Sequence, residues 1–436
     1  MKRIGYIFDR VLERGNLELA FWKASRGKCA RDDQRRYGRN LDCELDRLRE
    51  GLASGDFKVG DFRRFTIYDP KEREICAVPF GERVLHHALM NVCEPYFDKW
   101  LVCDTYACRK GKGQVAAVKR AQSFARRYEW FMKCDFRKYF DSIPHDRLKA
   151  ALENRFKDPR MLGWFFKIID SYEKTAGRGL PIGSLTSQHF ANFYLDGLDR
   201  FASSCKEHNS RQDGAGYVRY MDDFVLWSND KSALLRLRGE IAGFSGETLG
   251  LELKQEPFIN RTRHGMDFLG MRVFPNAVRL SRASRLRYAR KLKAYDAAFD
   301  SGEMGEAEYQ ARVTALTAFT EHADSRAWRR KILAVCEERR VRTVSCAAAA
   351  GTTTRGTAVR QTATGTGQAT ATGTTASAFV APQHRRTIRA VPADGRFAPQ
   401  GATNKNKRGG ASSDAERPTA HFTNLEPGRI VQCRCS

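Results

Sequence analysis

The sequence is poor in apolar continuity. No run approaches the roughly 18 apolar residues that a membrane span requires, and the N-terminal MKRIGYIFDRVLERG has no apolar signal core, so neither a transmembrane helix nor a secretory leader is expected. Metal-binding cysteine spacing is missing as well. The 12 cysteines are scattered, no Cys-x-x-Cys pair occurs, and Cys433-Arg434-Cys435 has no companions at zinc spacing. This excludes a zinc module and reads as free thiols in a reducing compartment. Acid is scarce: 76 Lys and Arg stand against 51 Asp and Glu, a net charge of +25. From residue 341 onward 11 Arg and 2 Lys face 4 acids, which leaves +16 on residues 1–340. The part able to fold is therefore basic in its own right. A polyanionic partner is implied, nucleic acid before membrane, the alternative being a merely solvated basic surface.

What is present supports packed cores. The 436 residues allow two or three domains, with 42% hydrophobic content. Residues 1–60 read as a basic helical extension, in which LDCELDRLREGLAS spaces Leu41, Leu45, Leu48 and Leu52 as a helix ending near Gly55. FRRFTIYDPKEREICAVP reads as a hairpin turning at Asp69-Pro70, and GERVLHHALMNVCEPYFDKWL as a helix stopping near Pro95. A strand ending in acids, FMKCDFRKYFDSI, leads into helix. GLPIGSLTSQHFANFYLDGLDRF reads as a loop opening one long helix, LGLEL as a strand, MDFLGMRVF as a short strand, and residues 280–340 as basic helices. After Cys346 the chain turns to Thr, Ala and Gly almost without large apolar residues, a composition that cannot bury a core and is expected to be disordered.

Two acidic sites stand out. RYMDDFVLWS reads as strand-turn-strand with Asp222 and Asp223 side by side, and Asp135 follows an apolar strand upstream. Adjacent carboxylates resist burial unless counter-charge is supplied. Two strands lying side by side would bring Asp135, Asp222 and Asp223 together, where two Mg²⁺ ions could sit. Taken alone, Asp222-Asp223 could equally be solvated turn acids.

The order of segments goes further. KCDFRKYFDSI, LPIGSLTSQ, RYMDDF, LGLELKQEP and DFLGMRV resemble the palm motifs of reverse transcriptases in their usual sequence, and ICAVPFGERVLHHALM and TYACRKGKG resemble finger motifs of bacterial, group II intron-like members. The resemblance covers about residues 20–340. It implies an α/β (α+β) right-hand polymerase with fingers, antiparallel-sheet palm and helical thumb. The finger and palm segment would be 61–265, the end of the palm and the thumb 266–342, and the tail 343–436. It implies that Asp135, Asp222 and Asp223 hold two Mg²⁺ ions. Lys254 would assist pyrophosphate departure unless it is a solvated strand-end lysine. Lys71 and Arg73 on the finger hairpin would clamp the triphosphate. Phe140 would be the gate against a ribose 2′-hydroxyl or a core residue, and Gly183 would let backbone approach the nucleotide. Arg109 would be a template contact or part of a basic loop. Template RNA, the RNA/cDNA duplex and deoxynucleoside triphosphates are the implied ligands, in a bacterial or phage-encoded cytoplasmic protein.

Two positions depart from the common pattern. Ile182 stands where most relatives have Gln, and Ser187-Gln188 where they have Ser-Pro. This IGSxxSQ form resembles the reverse transcriptases of diversity-generating retroelements, which miscopy adenine and commonly work with a small basic accessory protein oligomer. An Ile offers the incoming nucleotide no polar contact, unless it is a neutral packing exchange. The tail fits the same setting. All 11 Thr from Thr352 to Thr375 follow residues whose codons can end in A. Read two bases on, residues 343–379 can spell an Asn-dense segment like a variable-protein repeat. We read the frame as running into its own template repeat, the alternative being low complexity from a GC-rich genome. The competing functions are a group II intron or retron enzyme, and a non-catalytic RNA-binding protein on a polymerase scaffold.

Overall fold

The computed structural model describes residues 3–334, apart from 28–30, 69–70, 209–214 and 255–256. The expected disordered tail and its template-repeat reading lie outside the described residues.

Four helices open the chain: α1 (Phe8–Leu12), α2 (Arg14–Ser25), α3 (Asp32–Arg39) and α4 (Leu41–Ser54). The leucine spacing of α4 buries Leu45, Leu48 and Leu52, and Gly55 ends it in the left-handed region (φ +85), its N–H returning to Gly51 O at 3.1 Å. Strands β1 (Arg63–Ile67) and β2 (Arg73–Ala77) form an antiparallel ribbon, with Phe65 opposite Ile75; its Asp69-Pro70 turn falls outside the described residues. Helix α5 (Phe80–Trp100) does not stop at Pro95 but runs through it. The exposed proline removes one helical bond. The next turn is retained because Phe97 and Trp100 are buried in the aromatic core.

Helix α6 (Gln114–Arg127) precedes β3 (Trp130–Cys134), which leads to α7 (Tyr139–Ser142), α8 (His145–Glu153) and α9 (Pro159–Asp170). Asp158 caps α9 and also accepts the Ile7 and Phe8 amides at 2.9 and 3.0 Å, tying the N-terminal helices to the body. The long helix expected after Gly183 is two, α10 (Leu185–Tyr194) and α11 (Asp196–His208), broken at Leu195. Strands β4 (Gly216–Tyr220) and β5 (Asp223–Ser228) follow, then α12 (Lys231–Glu247) and β6 (Phe258–Arg261). Leu251–Lys254 makes only a bridge, Phe136 to Leu253, rather than the expected strand. The single strand expected in MDFLGMRVF is a hairpin, β7 (Met266–Phe268) and β8 (Met271–Val273), because Leu269 (φ +50) and Gly270 (φ +78) both adopt the positive φ of a tight two-residue turn. Strand β9 (Val278–Leu280) completes that small sheet, and α13 (Arg282–Asp300) and α14 (Glu306–Ala318) follow.

The four-stranded antiparallel sheet, in the order β4-β5-β3-β6, organises the molecule. Side chains alternate between its faces, as a strand requires. Met132, Cys134, Tyr217, Phe224 and Leu226 enter the large core with α5, α9 and α10, while Phe131, Val218, Val225 and Trp227 pack against α6. Because both faces are covered, β5 is apolar at every position from Phe224 to Trp227.

Candidate active site

The register of this sheet sets the acids. Cys134 pairs with Phe224 and Tyr220 with Asp223, so the register carries Asp135, one residue beyond β3, to the level of Asp223, with Asp222 beside it in the Met221-Asp222 turn joining β4 to β5. Met221 holds φ +56, a strained value for a residue with a Cβ. The turn is held from beneath: Arg219 Nη1 donates to Met221 O at 2.9 Å.

The resulting electrostatics are tense. Burial pushes the Asp222 carboxyl up to about 6, the nearby Asp135 carboxylate and a hydrogen bond to it adding to the rise. Burial likewise lifts Asp223 to about 6, against the opposing Lys133, whose Nζ lies 3.1 Å from Asp223 Oδ2. Asp223 Oδ1 is buried without a hydrogen-bond partner. Among the described residues no three His, Cys, Asp or Glu side chains stand in a closed metal-holding group. Asp135 and Asp222 share a hydrogen bond, and Asp223, which faces Lys133, lies close enough to both for their charge to raise its carboxyl as well. The donor set fits a hard divalent cation: oxygen ligands, an orphaned carboxylate oxygen, and carboxyls held above their usual range by burial and by one another, which a bound cation would offset.

The other expected residues are distributed around this point. Lys254 is half exposed, with Nζ 3.6 Å from Asp135 Oδ2, and its amide donates to Asp135 O at 2.9 Å. Arg73, first residue of β2, lies close enough for its charge to stabilise ionised Asp222, which brings the basic ribbon over the acids; Lys71 is exposed beside it. Phe140 is partly buried against the core, and its carbonyl accepts the Leu180 amide at 2.8 Å, next to the Ile182-Gly183 loop. Ile182 O accepts the Cys76 amide at 2.8 Å. Gly183 has φ +122, and a Cβ there would meet Cys76 O at 2.9 Å, so the approach its missing side chain permits is to β2 itself. Gln188 is exposed on α10, its Oε1 3.8 Å from the Cys108 thiol. Arg109 is not a basic surface residue. Its guanidinium is buried and ties its loop to the end of α5, on Asp98 Oδ1 at 2.5 Å and the carbonyls of Val102, Thr105 and Asp98 at 2.6, 3.0 and 3.0 Å.

Two residues went unnoticed in the sequence. Arg219 is fully buried, bonded to Asp199 through Nε at 2.6 Å and Nη2 at 2.5 Å, and to Asn192 Oδ1 and O at 2.9 and 3.0 Å. Burial opposes its charge, but Asp199 more than offsets this and its pKa rises. The only available signal was an arginine placed directly before an apolar-acidic turn. Lys133 sits mid-strand in an otherwise apolar run. It donates to Asp267 O at 2.9 Å as well as facing Asp223, joining the acids to the β7–β8 hairpin.

Residues 70–273, which carry this arrangement, match the family model for reverse transcriptase (RNA-dependent DNA polymerase). They form a reverse transcriptase domain. Relatives of that domain include the YkfC protein of Escherichia coli K12, 24% identical over 53% of this chain and 72% of its own length. The group II intron-encoded protein LtrA of Lactococcus lactis subsp. cremoris is 23% identical over 39% of this chain and 30% of its own. A COX1/OXI3 intron 2 protein of Saccharomyces cerevisiae is 23% identical over 52% of this chain and 33% of its own. The chain thus spans about a third of the length of the latter two. Among solved structures, apo telomerase from Candida tropicalis truncated from its C-terminal domain aligns with a TM-score of 0.41 at 11% identity, over 50% of this chain and 55% of that one.

Proposed function

We propose that the chain is an RNA-directed DNA polymerase that makes error-prone cDNA from a template-repeat RNA in a diversity-generating retroelement. One observation carries the polymerase reading: the sheet of a reverse transcriptase domain sets Asp135 against Asp222 beneath a basic two-stranded ribbon. Asp135, Asp222 and Asp223 would hold Mg²⁺, which when bound lowers the pKa of the primer 3′-hydroxyl and neutralises charge on the departing pyrophosphate. The residues of the chain do the rest. Arg73 and Lys71 oppose the triphosphate charge, Lys254 places a cation beside the reacting phosphoryl, and Ile182 and Gly183 shape the wall of the nucleotide site. Ile182 brings contact area but no directional bond, so matched and mismatched nucleotides differ less in transition-state binding. A small basic accessory protein oligomer and a cytoplasmic setting belong to the same reading.

The experiment is primer extension on a defined RNA template followed by sequencing of the cDNA. Errors concentrated opposite adenine are expected from the wild-type protein and fewer from Ile182→Gln. Faithful copying of adenine by the wild type would remove the retroelement reading. The intron-encoded relatives support a second one, a group II intron enzyme. The flanking DNA separates the two: a near-repeat of the region coding for 343–379, differing at adenines, belongs to the first alone.

A further inference from the structure

A buried polar chain runs from Ser184, next to the Ile182-Gly183 loop, to Gly60 before β1. Glu82 and His86 project from successive turns of α5 and are 3% and 1% exposed. His86 Nδ1 lies 2.9 Å from Thr186 Oγ1, and Thr186 Oγ1 lies 3.0 Å from Ser184 Oγ; both hydroxyls are buried. His86 Nε2 faces Glu82 Oε1 at 3.5 Å and has no closer partner. Both Glu82 oxygens accept the Gly60 amide, at 3.0 and 3.1 Å. With His86 Nε2–H directed at the Glu82 carboxylate, a neutral His86 accepts from the Thr186 hydroxyl at Nδ1 and a protonated one donates to it; either arrangement satisfies the chain through Ser184.

The ends of this chain are what give it meaning. Gly60 lies just before β1, so Glu82 fixes the root of the basic ribbon. Ser184 directly follows Gly183, and the loop it anchors is joined to β2 by the Cys76 amide on Ile182 O. The ribbon and the loop are therefore clamped to one another twice, once through backbone and once through the Glu82–His86–Thr186–Ser184 chain. A long buried helix supplies the histidine, so the clamp is rigid on one side.

We propose that Glu82, His86 and Thr186 are positioning residues for nucleotide selection. By fixing the Ile182-Gly183 loop against the β1–β2 ribbon, they set the width of the site between the wall and the triphosphate clamp. None of the three is placed at the reacting atoms, and their effect passes through Ser184 and the loop. The proposal rests on the reading that Ile182 and Gly183 border the incoming nucleotide.

The test uses Thr186→Val, which keeps the shape and removes the hydroxyl, with Thr186→Ser as the conservative control and Ser184→Ala as a milder break at the far end. Loss of a buried hydrogen bond that matters only to loop position is expected to raise the KM for deoxynucleoside triphosphates about five- to tenfold in Thr186→Val and less in Ser184→Ala. The kcat at saturation should hold within about twofold, and the misincorporation spectrum should shift. Thr186→Ser should restore both readouts. Ile182→Gln is run alongside to test the underlying reading. If Ile182→Gln alters KM or the error spectrum while Thr186→Val and Ser184→Ala leave both unchanged, the clamp is structural only and the proposal is overturned. If Ile182→Gln is itself silent, the loop does not border the nucleotide and the proposal falls with that reading. Should Thr186→Val fail to fold, Ser184→Ala decides the matter by the same readouts.

Discussion

Asp222 and Asp223 are held in a state that costs the folded protein stability. Each carboxyl ordinarily titrates near 3.8 and is raised to about 6, by burial first, with Asp135 adding to the cost at Asp222. The folded chain therefore retains protons between those values that the unfolded chain releases. For raised acids the sign is clear: the contribution of these two groups to stability is greatest below about pH 4 and is lost as pH rises through about 6. Asp222→Asn should then stabilise the metal-free protein at pH 8 by on the order of 1–3 kcal/mol while abolishing primer extension. Chemical denaturation with EDTA at pH 5 and pH 8 checks it, and a destabilised Asp222→Asn protein at pH 8 would contradict the electrostatic account. Mg²⁺ should raise the melting temperature of the wild type at pH 8 and lose that effect below about pH 6, where the ligands are protonated.

At the scale of elements, Arg219 holds the β4–β5 hairpin and Gly183 permits the close approach of its loop to the ribbon. Arg219 is bonded to Asp199, to Asn192 and to the carbonyl of the strained Met221. Removing one partner of a buried pair leaves the other charge uncompensated, so Arg219→Ala should cost about 3–5 kcal/mol. Arg219→Lys keeps charge but lacks the fork, and kcat should fall more than KM rises because the displaced group is the Asp222 turn. Unfolding curves and single-nucleotide kinetics measure the two effects. At Gly183, a Cβ would both strain φ +122 and press on Cys76 O. Gly183→Ala should therefore cost about 1–3 kcal/mol and loosen the ribbon, seen as faster amide exchange at Cys76. Unchanged exchange there would mean the ribbon does not depend on this contact. These elements were only partly legible beforehand. The leucine spacing of α4 and the apolar β5 are local signals, and both elements lie where their patterns predict. The turn in MDFLGMRVF is not legible in the sequence because Leu269 carries no turn chemistry of its own, and Pro95 does not end α5 because buried Phe97 and Trp100 outweigh it.

For the whole molecule, the excess of base over acid is spread along a chain of +25. Binding to a primer–template should weaken steeply between 50 and 200 mM salt, as counterion release requires. A chain ending after residue 342 should retain primer extension, since the polar tail lacks the large apolar residues a core needs. A soluble truncation without activity would overturn this. The sequence by itself determined the mixed helix and strand composition, the order of the acidic strand ends and the departures at Ile182 and Ser187-Gln188. Those are properties of short windows, where periodicity and residue chemistry act over a few positions. Only the tertiary structure decided which charges face one another. Asp135 meets Asp222, Lys133 takes Asp223, Arg109 turns inward to Asp98, and His86 joins Glu82 to Thr186. Each of these except the Arg109 contact and the Glu82–His86 step joins residues about ninety or more positions apart. Strand register and helix packing set such distances, and a local pattern carries no information about them.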